Sequence, residues 1–362
     1  MAKQINSTKP AAITHLRELV RLLLAVSFLA TLMSAFAHAE ETAGKARLSK
    51  HAASKSVSNN QNINNHKNSN NEVVAQYQTF DVNKAVDAEV SSPPMPAVRS
   101  AAAAMFENGR RDLLNKDYAS ALDWFQKAAD KGSAAAEVQL ANMYLDGLGV
   151  TINNAKAFEL LTKAAKQGNA EAEAGLGVLY AEGRGVVQDD AIALSWFNRA
   201  AKQGNALAQR NLGIMYLDGR GTEADPVAAA EWFRGAALQN EPQAEDSLGV
   251  MFREAQGVEN DDIEAAWWFR KSAEQGNPQA QVNLGMMYGE GRGVHQDDAE
   301  AIQWFRQSAE QGNALGQYHL GVSYAEGLGV DVDNAEAVRW LKKAAEQGFA
   351  QAQEYLQQAG AL

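Results

Sequence analysis

Apolar positions in residues 98–359 repeat with two periods at once, a short helical one and a long one of 36 residues. Leu140, Leu176, Leu212, Leu248, Leu284, Leu320 and Leu356 share one column of the long period. Four residues before each lies a small residue: Ala136, Ala172, Ala208, Ala244, Ala280, Gly316 or Ala352. Four residues after the first six lies a ring: Tyr144, Tyr180, Tyr216, Phe252, Tyr288 or Tyr324. A spacing of four puts all three columns on one face of a helix, here helix A. A second helix, B, starts where Asp117, Asn153, Asp189, Asp225, Asp261, Asp297 and Asp333 share a column suited to N-caps. Glu264, Glu300 and Glu336 follow their caps by three residues and read as capping boxes. Inside helix B, Trp124, Trp196, Trp232, Trp268, Trp304 and Trp340 form one series with Leu160 as its only substitution, and Phe or Leu follows each member. These pairs are expected to fill the wide gaps between helices that small residues elsewhere bring close.

Glycine punctuates the pattern. Helix A ends at a pair (Gly147 and Gly149, Gly183 and Gly185, Gly219 and Gly221, Gly291 and Gly293, Gly327 and Gly329), and Ala255 with Gly257 is the departure. A glycine just past a helix takes the left-handed backbone that satisfies the last carbonyls. Gly177, Gly213, Gly249, Gly285 and Gly321 stand inside helix A, where each costs about 1 kcal/mol relative to alanine. Repeating that cost calls for a close approach by a neighbouring helix. Helical hairpins returning every 36 residues predict an all-α solenoid rather than one globular core.

Charge and composition narrow the picture. The chain of 362 residues carries −11 overall, and residues 100–362 hold 22 basic against 37 acidic side chains. So acidic an array is repelled by a phosphate backbone, which argues against nucleic acid as a partner. There is no cysteine, which excludes disulfides, thiolate chemistry and Cys-based metal sites. Lys3, Lys9, Arg17 and Arg21 precede an apolar run from Leu22 to Ala37, and Ala37-His38-Ala39 closes it. This is the pattern of a secretory signal, residues 1–39, cleaved after Ala39; an uncleaved membrane anchor is the alternative. Residues 40–97, rich in Asn and Ser and closed by SSPPMP, read as a disordered linker.

With these columns in view, the chain resembles the Sel-one-like repeat (SLR) family, a branch of the tetratricopeptide class. AQVNLGMMYGEGRGVHQDDAEAIQWFRQSAEQGN, starting at Ala280, follows that family's pattern almost residue for residue. The resemblance covers residues 133–348 as six repeats. Residues 98–132, with a shorter inter-helix turn, look closer to the parent tetratricopeptide type, and residues 349–362 supply a capping helix. The resemblance implies an α/α solenoid, a right-handed superhelix lined inside by A helices. It also implies an adaptor, not an enzyme, and exported bacterial members are associated with envelope processes. Some Cys-rich relatives have been linked to β-lactam binding, from which this chain departs by lacking Cys.

No catalytic, metal or cofactor constellation is legible. His295 and His319 lack a second histidine at ligand spacing, and the pairs Asp189/Asp190, Asp261/Asp262 and Asp297/Asp298 suit helix starts. Asp146, Glu182, Asp218, Glu254, Glu290 and Glu326 place a carboxylate in the last turn of every full A helix, against the dipole. They either bond the turn or a neighbouring Arg, or line a rail facing a ligand. The candidate partner site lies in the columns two residues either side of the core Leu, Val178, Arg210, Ile214, Asp246, Val250, Val282, Met286, Tyr318 and Val322, with Arg253 joining Arg210 and Asp246 near its middle. Such a strip suits a helix or extended peptide, unless adjacent A helices cover it. The function expected is a periplasmic or secreted scaffold holding a protein or peptide partner on its concave face. A hydrolase or penicillin-binding activity on wall-related substrates is the second reading, and a membrane-tethered adaptor the third.

Overall fold

The computed structural model describes residues 96–360, and the signal segment and most of the linker expected from the sequence lie outside them. Among the described residues there are fifteen α-helices and no strand. An opening hairpin, α1 (Pro96–Leu114) and α2 (Tyr118–Ala129), leads into six further hairpins. These pair α3 (Ala134–Asp146) with α4 (Asn154–Ala165), α5 (Ala170–Glu182) with α6 (Asp190–Lys202), and α7 (Ala206–Asp218) with α8 (Pro226–Ala237). They continue with α9 (Pro242–Glu254) and α10 (Asp262–Glu274), α11 (Pro278–Glu290) and α12 (Asp298–Glu310), and α13 (Ala314–Glu326) and α14 (Asn334–Glu346). A last A helix, α15 (Ala350–Gln358), stands without a B partner. Each helix packs on the one before it and the one after it, and the A helices α5 and α7, and α11 and α13, also touch. The expected solenoid is present.

The caps are where the sequence placed them. All seven residues of the Asp117 column accept a backbone N–H two or three residues on, as Asp225 does from Ala228 at 3.0 Å. The capping boxes are not formed. The N–H of Asp261, Asp297 and Asp333 goes instead to the carbonyl of Phe252, Tyr288 and Tyr324 on the preceding A helix, at 3.0–3.1 Å. With the cap N–H already bonded, Glu264, Glu300 and Glu336 turn outward to accept the indole N–H of Trp268, Trp304 and Trp340, at 3.0–3.1 Å. These glutamates orient the tryptophans rather than close the helix start.

Small residues in helix A have an identifiable occupant. A methyl group at Gly177, Gly213, Gly249 or Gly285 would lie 2.5–2.7 Å from the ring of Phe197, Phe233, Phe269 or Phe305. The close approach is therefore by a Phe ring of the B helix in the same hairpin. Where Ala141 breaks the glycine column, Leu161 replaces the ring. The second glycine of each turn touches the preceding repeat. A Cβ on Gly221 would collide with the carbonyl of Asp190 in the first turn of α6, and one on Gly293 with that of Asp262 in α10. In the unit that departs, Ala255 takes the left-handed cap position at φ 56°, a conformation that costs a non-glycine residue about 1–2 kcal/mol.

The two members of the Trp–Phe pair differ in burial. Phe125, Phe197, Phe233 and Phe269 are almost wholly buried, whereas Trp124, Trp232 and Trp304 keep part of their surface. They also serve different layers. Trp268 joins the apolar cluster built on α8 and α9, and Phe269 the next one, built on α10 and α11. Adjacent residues thus couple successive repeats. Phe233→Ala should therefore cost about 3–5 kcal/mol, and Trp232→Ala, at a partly buried ring, distinctly less. Chemical denaturation measures both. Hydrogen exchange should accelerate in α7–α9 while α13–α15 keep their protection, because solenoid repeats couple mainly to neighbours; uniform loss along the array would contradict it.

Candidate partner-binding face

Helix A offers solvent one stripe, and the two candidate columns fall differently on it. Val178 on α5, Ile214 on α7, Val250 on α9, Met286 on α11 and Val322 on α13 are each half-buried. Each packs against the core with one side and leaves the other accessible. One turn along the same stripe come Asp146, Glu182, Asp218, Glu254 and Glu290, all exposed. An apolar row and a carboxylate row therefore run side by side across the repeats.

The column two residues before the Leu is mostly an inter-repeat layer. Val138, Ala174 and Val282 are 0–1% exposed. Val282 sits in a cluster with Leu320 and Trp340, so it lies out of a partner's reach, and the expectation that it lines the groove is corrected. Its bulkier or polar members are half-buried and reach toward the next repeat. Asp246 accepts a 2.8 Å bond from Asn283 on the next A helix, and Arg253 approaches the same amide at 3.4 Å while its guanidinium covers the Phe269 ring. Arg210 bonds Gln243 at 3.3 Å and stands 3.6 Å from Glu241. Tyr318 is half-buried against His319 and Phe349. Arg210, Asp246 and Arg253 thus form a polar section midway along the face, with Asp246 and Arg253 linked through Asn283.

Electrostatics there follow from burial. Desolvation raises Asp246 to about 6, against the pull of the Asn283 amide and the Arg253 charge. His319, stacked on Phe305 with 4.9 Å between ring centroids, is pushed down to about 4 by its apolar surroundings and stays neutral. Burial also raises Glu326. Three members of the carboxylate row pair with a neighbouring Arg, Glu182 with Arg184 at 3.5 Å, Glu254 with Arg253 at 3.2 Å and Glu290 with Arg292 at 3.9 Å, and Glu254 also accepts from the Gln256 side-chain amide in the turn at 3.3 Å.

A second polar column escaped the sequence reading. Glu137, Glu173, Gln209, Glu245, Gln281 and Gln317 lie three residues before the core Leu, and the three glutamates are 0–1% exposed. Each accepts from the amide of a Gln thirty residues on, at the end of helix B, in bonds of 2.6–2.9 Å from Gln167, Gln203, Gln239, Gln275, Gln311 and Gln347. The glutamates add a cation: Lys163 at 2.8 Å, Arg199 at 2.6 Å and Lys271 at 3.2 Å. Burial raises Glu137 and Glu245 even so. The signal was present, a Glu/Gln column with a strict Gln column at constant offset. Asp190 and Asp262, expected to favour the helix start, also receive Arg220 and Arg292 of the next turn, each at 2.7 Å. Among the described residues no cluster of His, Cys, Asp or Glu is arranged to hold a metal ion, and no helix is long and apolar enough to cross a membrane.

These observations define an α/α solenoid of tetratricopeptide-like hairpins. A model of the Sel1 repeat matches seven consecutive units, 99–133, 134–169, 170–205, 206–241, 242–277, 278–313 and 314–349, and the chain belongs to this family. The opening hairpin, expected to lean toward the parent type, is matched as the first of them. No curated protein matches the chain in sequence. Among solved structures it is similar to c5321, described as a protective antigen of uropathogenic Escherichia coli strains with an SLR fold. That match has 39% identity and a TM-score of 0.62, over 72% of this chain and 57% of that one. It is also similar to a Sel1 repeat protein from Oxalobacter formigenes, with 29% identity and a TM-score of 0.61, over 66% of this chain and 96% of that one. Proteins of this family are generally non-catalytic scaffolds whose repeats mediate protein–protein interaction.

The raised Asp246 has a consequence for stability. Its folded value exceeds that of an unfolded Asp, near 3.9, so the native state holds the extra proton between about pH 4 and 6. Stability from this group is present below that window and falls as pH rises through it. Asp246→Asn should remove the loss, gaining about 1–3 kcal/mol on wild type at pH 7 and nothing at pH 4. Urea denaturation at both pH values reads the difference, and an equal gain at both would refute the account.

Proposed function

We propose that this chain is an exported scaffold that holds a protein or peptide partner on the concave, A-helix face, in a process of the bacterial envelope. The observation that carries the reading is the row Val178, Ile214, Val250, Met286 and Val322. Five apolar side chains in register, one per repeat, keep accessible surface that the fold does not cover. An extended or helical segment crossing the repeats would bury them in turn, with Arg210, Asp246 and Arg253 fixing its register midway. Tyr318 and Val322 close the strip near the last full repeat. The N-terminal pattern ending at Ala37-His38-Ala39 supports export.

The column tolerates an amide, because Asn142 already occupies it in α3. Val178→Asn, Ile214→Asn and Val250→Asn combined should therefore keep the helical spectrum while capture of the partner from an envelope fraction drops at least tenfold. Gln303→Lys, on the exposed side of α12, should leave capture intact. Normal capture by the folded triple variant would move the partner to another face. N-terminal sequencing of the envelope-fraction protein should begin at Glu40, and an intact Met1 would replace the exported form with a tethered one.

A further inference from the structure

The outer faces of the B helices follow a rule that two neighbouring units break. Two residues after the N-cap, five units carry alanine: Ala119, Ala155, Ala191, Ala299 and Ala335. In α8 and α10 the position holds Val227 and Ile263, 58% and 71% exposed. Four residues further on, the column is otherwise Asp123, Glu159, Ser195, Glu231, Gln303 and Arg339, but α10 carries Trp267 at 50% exposure.

The three residues belong together. Ile263 and Trp267 stand one turn apart on the same face of α10. Gly257 seats against the backbone of Pro226 and Val227, so the turn that launches α10 crosses the first turn of α8 beside Val227. Trp267 is held in place: its ring meets Trp268 edge-on, centroids 4.4 Å apart, with the Lys271 ammonium 5.1 Å from its centre. An oriented, half-exposed indole one turn from the exposed Ile263, with the exposed Val227 at the same position of the neighbouring B helix, is the composition of an anchor point for a partner.

The surrounding charge says which kind. Glu231 lies one turn after Val227 on α8, and Glu223 and Glu259 lie in the turns that lead into α8 and α10. All three are exposed and form no ion pair among the described residues. The cations beside Trp267 are engaged, Lys271 with Glu245 at 3.2 Å and Arg270 with the Tyr288 hydroxyl at 2.5 Å. Arg234, exposed, lies one turn beyond Glu231 along α8. The unit 242–277 as a whole holds eight acidic and three basic side chains.

We propose that Val227, Ile263 and Trp267 form a second docking surface, on the B-helix side, for a cationic amphipathic peptide segment. Its apolar side chains cover the three exposed residues, and its Lys or Arg side chains face Glu223, Glu231 and Glu259. This surface is independent of the A-helix face.

The test uses the full chain and a synthetic 14-residue Leu/Lys amphipathic peptide, with a Leu/Glu peptide as control, in titration calorimetry. The variant Ile263→Ala/Trp267→Gln installs residues that other units carry at these columns, so its circular dichroism and melting midpoint should match wild type; Ile263→Ala alone serves if they do not. Wild type should bind the Leu/Lys peptide, more weakly as salt rises, and the double variant should lose at least tenfold in affinity. Glu223→Gln/Glu231→Gln/Glu259→Gln should also weaken binding and flatten the salt dependence. Equal binding by the double variant, or equal binding of the Leu/Glu peptide, overturns the proposal. So does a wild-type dimer in sedimentation that the double variant lacks, which assigns the patch to a second copy. Uptake of wild type by phosphatidylglycerol vesicles in place of the peptide assigns it to a lipid surface and overturns it equally. Val178→Asn/Ile214→Asn/Val250→Asn should leave Leu/Lys binding unchanged, which separates this result from that of the A-helix face.

Discussion

The array depends on one close contact, repeated at every junction. The second glycine of each turn seats against the first-turn backbone of the B helix before it, leaving no room for a side chain at Gly185, Gly221, Gly257, Gly293 or Gly329. Backbone on backbone fixes the distance between repeats more tightly than side chains can, since no rotamer relieves it. Regular spacing then lets one sequence column meet the same neighbours in each unit. The Arg of the turn finds Asp190 or Asp262, and the Trp of each pair reaches back to the previous cluster. The 36-residue period is the sequence trace of this contact.

Within a hairpin, apolar and polar layers divide the work. Phe rings lie over glycines in the middle, and the Glu/Gln–Gln ladder ties the start of helix A to the end of helix B. A neutral Gln–Gln pair does in three repeats what a buried Glu with a cation does in the others. Since a buried ion pair gives little net stability over a neutral equivalent, geometry rather than charge is the property the column keeps. The exposed positions are then free to vary, and there the candidate partner faces lie.

Much of this was legible because repetition averages out local ambiguity. Seven concordant caps and six concordant aromatic positions identified both helices and their boundaries. What the sequence could not show was which neighbour each column meets. Mid-helix glycine called for a close approach, yet the ring of Phe233 or Phe269 became its partner only in the fold. Glu264 has the spacing of a capping box, but the cap N–H is consumed by Phe252 across the hairpin, a contact 9 residues away along the chain. Val282 and Val250 read alike, yet one is sealed between repeats and the other half open. Helical angle places a residue on a face; only the neighbouring helix decides whether that face is covered.

Two glycines separate the central contact from ordinary backbone strain. Gly204 and Gly221 both have positive φ, +87° and +70°, but a methyl group at Gly204 meets open space, whereas at Gly221 it strikes the Asp190 carbonyl. Replacing either by alanine costs about 1–2 kcal/mol for the left-handed backbone. Gly221→Ala should cost a further ~1–3 kcal/mol from overpacking and speed hydrogen exchange where the turn meets the start of α6. Equal destabilisation by the two substitutions would show that turn conformation, and not the seating of one repeat on the next, sets the spacing of the array.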